Sequence, residues 1–218
     1  MRENFDLVQG WIGLSEGGFV NHPKDPGGAT DRGITQATFD AWNRLHGYPQ
    51  RAVRGISRET AEAIIAEQYL EPIRFNDLPA GLDYAVADFA VNSGPSRAAQ
   101  ELQALLGVEA DGVIGVKTLA AIRGKNIPPL VIAYCAERMG FLRRLSTWRT
   151  FGGGWTARVE GREPGVQPGD IGVVDRAVRL AQARKDIPAP TVAAPGKAAP
   201  APAQGLWPAI LQFLRRMF

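Results

Sequence analysis

The sequence predicts an all-α fold with at most one short β-hairpin, placed in the segment 18–35. Apolar residues recur every three or four positions through much of residues 5–146, which is the spacing of helices with one buried face. No alternation of apolar and polar residues longer than a few positions indicates a strand. The chain has 218 residues, enough for one sizeable hydrophobic core or two small ones.

The first predicted helix covers residues 5–17. It ends at Gly17 and Gly18, because glycine readily adopts the left-handed conformation that closes a helix. The segment 18–33 that follows is rich in Gly, Pro, Asn and Asp and contains no long apolar run, so we expect an irregular loop. The apolar face of the helix consists of Phe5, Val8, Trp11 and Ile12.

Capping residues mark the next helices. Thr35 is a suitable N-cap for a helix that runs to about Leu45, and Ser57 is a suitable N-cap for another that Pro72 breaks. A further helix is predicted over 82–91. The inner positions of the helix that starts after Ser57 are Ala61, Ile64, Ile65 and Tyr69.

The second half of the chain continues as helices joined by turns. Helices are predicted over 96–106, 117–122 and 128–146, and the Asp-Gly sequence within 111–115 indicates the turn between the first two. Cys135 lies in the apolar run of the last of these helices. As the single cysteine it forms no internal disulfide, and we expect it in the core.

The composition changes sharply near residue 187. Residues 187–204 are almost entirely Pro, Ala, Gly and Val with single polar residues, which is typical of a semi-extended linker. The tail 205–218 is amphipathic with a cationic end, which predicts contact with a membrane surface; docking on the body of the protein is the alternative. Its length of about 21 Å as a helix is too short to cross a bilayer. The apolar face of the tail consists of Trp207, Ile210, Leu211, Leu214 and Phe218.

Charge and composition exclude several classes of function. The net charge of +3 and the pI of about 9.2 suit an anionic partner such as nucleic acid, cell wall or a membrane surface. Nucleic acid is disfavoured, because the basic residues are scattered among acidic ones and no nucleic-acid-binding motif is present. No Cys and His spacing of a zinc site exists, and we expect neither metal nor cofactor.

Three polar residues near the N-terminus suit glycosidic bond cleavage. Glu16 lies at the end of the first helix, Asp25 lies in the glycine-rich loop, and Thr30 follows it. Cleavage needs an acid that protonates the leaving oxygen and a second polar group that holds water or stabilises the oxocarbenium charge. Glu16 is the candidate acid, and partial burial would raise its pKa as that role requires.

Several blocks of the sequence resemble glycoside hydrolase family 108, whose members are N-acetylmuramidases found as phage endolysins and in some secretion systems. A single Glu-Gly-Gly sequence would be weak, but ordered blocks at family-like spacing are specific, and the resemblance covers roughly residues 3–160. The blocks are 16–18, 25–30, 33–38, 88–95, 111–115, 141–145 and 151–159.

The resemblance implies a lysozyme-like fold with a catalytic region over 1–91 and a predicted peptidoglycan-binding region over 92–186, which could pack as one body. It also implies hydrolysis of the β-1,4 bond between N-acetylmuramic acid and N-acetylglucosamine, with Glu16 as the acid. Asp25 and Thr30 would orient water or steady the positive ring, since the set resembles the Glu, Asp and Thr of phage-type lysozymes with one residue fewer before the threonine. Asp31 stands where the family often carries Asn, which adds a second loop carboxylate.

Five further residues are candidate substrate contacts. Asp88 and Asn92 lie four apart on one helical face, and an amide suits N-acetyl and hydroxyl groups, although Asn92 could equally cap the helix. The other three candidates are Asp31, Tyr69 and His22. Glycines of the loop are expected to permit sharp turns and a close approach to substrate. These glycines are Gly17, Gly18, Gly27, Gly28 and Gly33.

The sequence is also compatible with other functions. A lytic transglycosylase needs only one glutamate, and Asp25 weakly favours hydrolysis over it. A non-catalytic peptidoglycan-binding or membrane-active protein would not require Glu16, and a muramidase of a secretion apparatus is an alternative to a phage or prophage endolysin. The N-terminus shows no signal pattern, so we expect synthesis in the cytoplasm, release through a holin and action in the periplasm on glycan strands.

Overall fold

The computed structural model describes residues 4–12, 19, 21, 28–161 and 171–183. Within these residues the protein is helical apart from one two-stranded antiparallel hairpin, which confirms the predicted fold class. The linker 187–204 and the tail 205–218 lie outside the described residues. Among the helices that the structure describes, none combines the length and the apolar character needed to cross a membrane.

The N-terminal part consists of a short helix and the hairpin. Helix α1 spans Phe5–Trp11 and ends earlier than the predicted helix over 5–17; residues 13–18 lie outside the described part of the chain. Strands β1, Thr30–Asp31, and β2, Ile34–Thr35, pair in the register Thr30 with Thr35 and Asp31 with Ile34. The hairpin therefore lies within the predicted segment.

The next two helices begin at the predicted caps. Helix α2 spans Gln36–His46, and the Thr35 hydroxyl accepts the Thr38 N–H. Helix α3 spans Arg58–Ile65, where the Ser57 hydroxyl accepts the Thr60 N–H. Its path continues as one π-helical segment, Ala66–Leu70, ahead of Pro72, and a 3₁₀ turn, Phe75–Asp77, follows. The π-helical segment ends ahead of Pro72, in agreement with the predicted break of the helix at this residue.

Six helices complete the described chain. Four agree closely with the predicted segments: α4 Leu82–Ser93, α5 Pro95–Leu106, α6 Val116–Ile122 and α7 Ile127–Arg143. The last two, α8 Trp148–Glu160 and α9 Val173–Ala183, lie beyond the last predicted helix, 128–146.

Helix α4 is the centre of the fold. Every residue from Leu82 to Ala90 is buried, and the helix packs against α5, α7 and α9. The buried apolar residues form one cluster that extends from Val8 of α1 to Leu180 of α9. The predicted boundary between residues 91 and 92 falls inside α4, so residues on both sides of it contribute to the same core.

Candidate active site

The structure describes one side of the predicted catalytic loop. Glu16, Asp25 and His22 lie outside the described residues, as do Gly17, Gly18 and Gly27. Thr30, Asp31, Gly28 and Gly33 are described, and they form the hairpin and its approach.

Thr30 opens the hairpin and is half-buried. Its hydroxyl donates to the Gly28 carbonyl oxygen at 3.4 Å, so the side chain bonds to its own loop. Gly28 and Gly33 have φ of 67° and 75°, the left-handed region that glycine adopts without a steric penalty. The Gln36 N–H donates to the Ala29 carbonyl oxygen at 2.8 Å, which closes the loop onto α2.

The tip of the hairpin is attached to the loop that precedes α3. Asp31 is only 7% exposed, and its Oδ2 accepts the Gly55 N–H at 2.6 Å. Arg32 has φ of 48°, which is unusual for a residue with a side chain, and its Nε donates to the Ile56 carbonyl oxygen at 3.0 Å. These two bonds fix the hairpin against residues 55 and 56. The carboxylate of Asp31 thus has a structural hydrogen bond, which sequence reasoning did not anticipate.

A cavity of about 630 Å³ opens beside this loop. Its volume is in the range of small-molecule binding sites. The Arg54 guanidinium lies over the Phe19 ring at 4.9 Å from the ring centroid, and Phe19 follows Glu16 by three residues in the sequence. Arg54 thus joins the lining of the cavity to Phe19. Its lining includes Trp42, Tyr48, Arg51, Arg54, Gly55 and Glu59.

Asp88 lies in a different environment from the one predicted. It is 1% exposed; its carboxylate accepts from Arg138 Nη1 at 2.7 Å and from Arg158 Nη2 at 2.8 Å. Burial by itself would raise the pKa of Asp88, but the charges of Arg158 and Arg138 outweigh burial and hold this pKa below its usual value. The predicted sugar contact of Asp88 is therefore corrected to a buried ion pair that joins α4 to α7 and α8.

The two remaining candidate contacts differ in exposure. Asn92 is exposed near the end of α4, its Oδ1 accepts from the Ser93 hydroxyl at 3.0 Å, and Gly94 follows as the C-cap. Its amide nitrogen is therefore placed where a ligand could reach it. Tyr69 is half-buried and packs against the core. The helical spacing of Asp88 and Asn92 did not translate into one shared surface, because α4 is covered by neighbours over most of its length.

Sequence reasoning missed Arg138 and Arg158. They lie 50 and 70 residues from Asp88, and no local pattern links such positions. Cys135 is 1% exposed, and burial raises the pKa of its thiol to about 12, so the thiolate needed for nucleophilic chemistry is not available at neutral pH. No cluster of His, Cys, Asp or Glu that could hold a metal ion occurs in the described ranges.

Comparisons with known proteins place the chain in a family. Residues 10–94 match the family described as Glycosyl hydrolase 108, and residues 97–160 match the one described as Predicted Peptidoglycan domain. No curated protein sequence matches the chain.

The fold is similar to the solved structure of Brucella abortus SagA. Its sequence is 39% identical, the TM-score is 0.73, and the match covers 84% of this chain and 98% of that chain. The two family matches leave only residues 95 and 96 between them, so they follow each other along the same helical body. The chain therefore belongs to glycosyl hydrolase family 108 and is a glycoside hydrolase that acts on peptidoglycan.

Proposed function

We propose that the protein is an N-acetylmuramidase that hydrolyses the β-1,4 bond between N-acetylmuramic acid and N-acetylglucosamine. The observation that carries the proposal is the family match over residues 10–94, because this range includes Glu16, Asp25 and Thr30 in one hydrolase region. The hairpin that begins at Thr30 supports it, since the hydrogen bond that Asp31 accepts from Gly55 and the one that Arg32 donates to Ile56 hold that edge of the loop in place.

Each of the three residues has a proposed role. Glu16 protonates the glycosidic oxygen as the bond breaks. Asp25 orients the attacking water or stabilises the positive sugar ring, and Thr30 assists from the hairpin. Attack by water on the anomeric carbon leaves a reducing N-acetylmuramic acid end. A transglycosylase would instead close the muramic acid on its own hydroxyl and leave an anhydro end.

Product analysis tests the reaction. Purified Gram-negative sacculi are incubated with the protein, and the released fragments are identified by mass spectrometry. Reducing N-acetylmuramic acid ends are expected. Anhydro-muramic ends would overturn hydrolysis in favour of transglycosylation, and the absence of any fragment would overturn the enzymatic proposal.

Substitution of the acid tests the assignment. Glu16→Gln is expected to lower the rate of fragment release by about 10²–10⁴-fold, the usual contribution of general acid catalysis. Glu109→Gln is the matched control, because Glu109 is an exposed glutamate on the turn after α5 and its loss should leave the rate unchanged. Full activity in Glu16→Gln would show that another group donates the proton.

The biological setting we propose is host-cell lysis of the endolysin type, with the tail 205–218 contacting the inner membrane. The amphipathic pattern of the tail supports the membrane contact. Co-expression with a holin in a Gram-negative host should cause lysis with the wild type and not with Glu16→Gln. If binding to liposomes is unchanged after deletion of residues 205–218, the membrane contact is refuted. If the protein is active only within a secretion apparatus, the lytic role is refuted.

A further inference from the structure

Helix α1 receives a hydrogen bond from a residue that lies 146 positions later in the chain. Arg158, on α8, donates from Nη2 to the carbonyl oxygen of Ile12 at 3.3 Å. Ile12 is the C-cap of α1 and is 5% exposed. The last carbonyl groups of a helix lack partners within the helix, and a cation there also complements the helix dipole. Helix α1 has no basic residue in its own last turn. Arg158 therefore supplies both a hydrogen-bond donor for the carbonyl group and the positive charge that complements the helix dipole.

Arg158 is itself held in place by a buried carboxylate. Its Nε lies 3.0 and 3.1 Å from the two oxygens of Asp88, and its Nη2 lies 2.8 Å from Oδ2. Asp88 is oriented in turn by Arg138, at 2.7 Å, and both of these residues are 1% exposed. The position of the Arg158 guanidinium is therefore set by α4 and α7 together, while 37% of its side chain remains exposed.

We infer that Arg158 is a positioning residue for the catalytic acid: it fixes the end of α1, from which four residues lead to Glu16. This inference rests on the proposed function, in which Glu16 is the acid. Ile12 lies in the region that matches the hydrolase family, whereas Arg158 lies in the region that matches the peptidoglycan domain. The second region thus contributes a residue to the geometry of the first, and catalysis requires both regions in one folded unit.

The hydrogen bonds of residue 158 to Asp88 and to Ile12 require an arginine. A planar guanidinium can bind a carboxylate with two nitrogens and still direct a donor to a third oxygen, whereas a lysine ammonium is a single point charge. Arg158→Lys should therefore keep the charge beside Asp88 and lose the bond to Ile12. This variant separates positioning of α1 from neutralisation of the buried carboxylate.

The experiment compares Arg158→Lys with Arg143→Lys in the full chain. Arg143 is the matched control. It lies on α7 and pairs, at a longer distance of 3.6 Å, with Glu160 of α8, the helix that also carries Arg158. Its side chain is 56% exposed. The measurements are kcat and KM on soluble glycan strands, sedimentation with sacculi, the thermal midpoint, and hydrogen exchange of residues 5–12. All rates are measured well below the lower thermal midpoint.

For Arg158→Lys we expect kcat to fall roughly tenfold to a hundredfold, as small misplacements of a catalytic group do, with KM and sacculus binding near wild type. Exchange in α1 should become faster, and Arg143→Lys should match the wild type in every measurement. Wild-type kcat in Arg158→Lys, or a fall in kcat without faster exchange in α1, would overturn the inference. Full activity in Glu16→Gln would overturn the proposed function instead, so the two failures are distinguishable.

Discussion

The Asp31 carboxylate accepts the Gly55 N–H at 2.6 Å, so the first strand of the hairpin is bonded to the loop before α3. The sequence predicts Asp31 as a substrate contact and as a second carboxylate of the catalytic loop. Its burial and its hydrogen bond give it a structural reason to be present. An amide oxygen can accept the same bond, so Asn at this position would keep the loop attached to Gly55.

Asp31→Asn is therefore expected to retain activity within about twofold. Asp31→Ala removes the acceptor and should lower the free energy of unfolding by about 1–2 kcal/mol, with a matching loss of activity. Urea unfolding and fragment release from sacculi measure the two effects. A large loss of activity in a stable Asp31→Asn variant would mean that the charge itself takes part in the chemistry.

Arg32 tests the strain stored at the hairpin tip. Arg32→Ala and Arg32→Gly both lose the bond to the Ile56 carbonyl oxygen, but only alanine keeps a Cβ at a φ of 48°. The glycine variant should be more stable than the alanine variant by about 1 kcal/mol, the cost of the left-handed conformation. Thermal unfolding measures the difference, and equal stability would show that the turn relaxes once the guanidinium is gone.

Asp88→Asn should be strongly destabilising at neutral pH, by about 3–5 kcal/mol, because it leaves the buried Arg138 without its counter-charge. The pKa of Asp88 is lowered in the folded state, so its stabilisation is present above the unfolded value of about 3.9 and is lost as pH falls through the folded value. The gap between wild type and variant should thus narrow in acid. Urea unfolding at neutral pH and near pH 3 measures this gap.

Asp77→Asn is the control for that experiment. Asp77 pairs with Arg74 at 2.6 Å, but both side chains are exposed, so the substitution should change the free energy of unfolding by less than about 1 kcal/mol. A small effect of Asp88→Asn at neutral pH, similar to that of the control, would contradict a tightly coupled buried network.

Gly81 precedes α4 and lies directly against α9. Its φ is 88°, and an added Cβ would meet the Ala177 carbonyl oxygen and come within 2.8 Å of the Ala181 Cβ. Gly81→Ala should lower the free energy of unfolding by about 2–5 kcal/mol, the sum of backbone strain and overpacking. Gly107→Ala has a similar φ of 70° with no atom within 4 Å, so only strain of about 1–2 kcal/mol is expected. Equal losses in the two variants would show that α9 moves aside without cost.

Local chemistry predicted much of this fold. Thr35 and Ser57 were identifiable as caps because their hydroxyls are suited to accept the N–H groups that begin a helix, and the structure confirms both. The class of site was accessible through the resemblance of several ordered sequence blocks to glycoside hydrolase family 108, and the family match over residues 10–94 confirms that resemblance. The positions of Glu16 and Asp25 relative to each other stay a prediction.

Other features depend on tertiary contacts that a linear pattern does not contain. Helix α8 includes three consecutive glycines, which individually disfavour a helix, yet Gly152 lies against the Trp148 ring, where a Cβ would come within 2.6 Å. Packing overrides propensity there. Helix α9 did carry a signal, because its buried residues have helical spacing: Val173, Ala177, Leu180 and Ala181. The pairing of Asp88 with Arg158 could not be read from the sequence, because it joins residues 70 positions apart.

The burial of α4 has a consequence for protein engineering. Helix α4 packs against α5, α7 and α9, so the N-terminal part of the chain is not separated from these helices by a boundary at which a different wall-binding module could be joined. A graft that began after residue 94 would replace the partners of α4 and expose its apolar surface to water. To direct this enzyme to another cell wall, exposed positions on the outer helices would therefore have to be redesigned, while the buried residues stay unchanged.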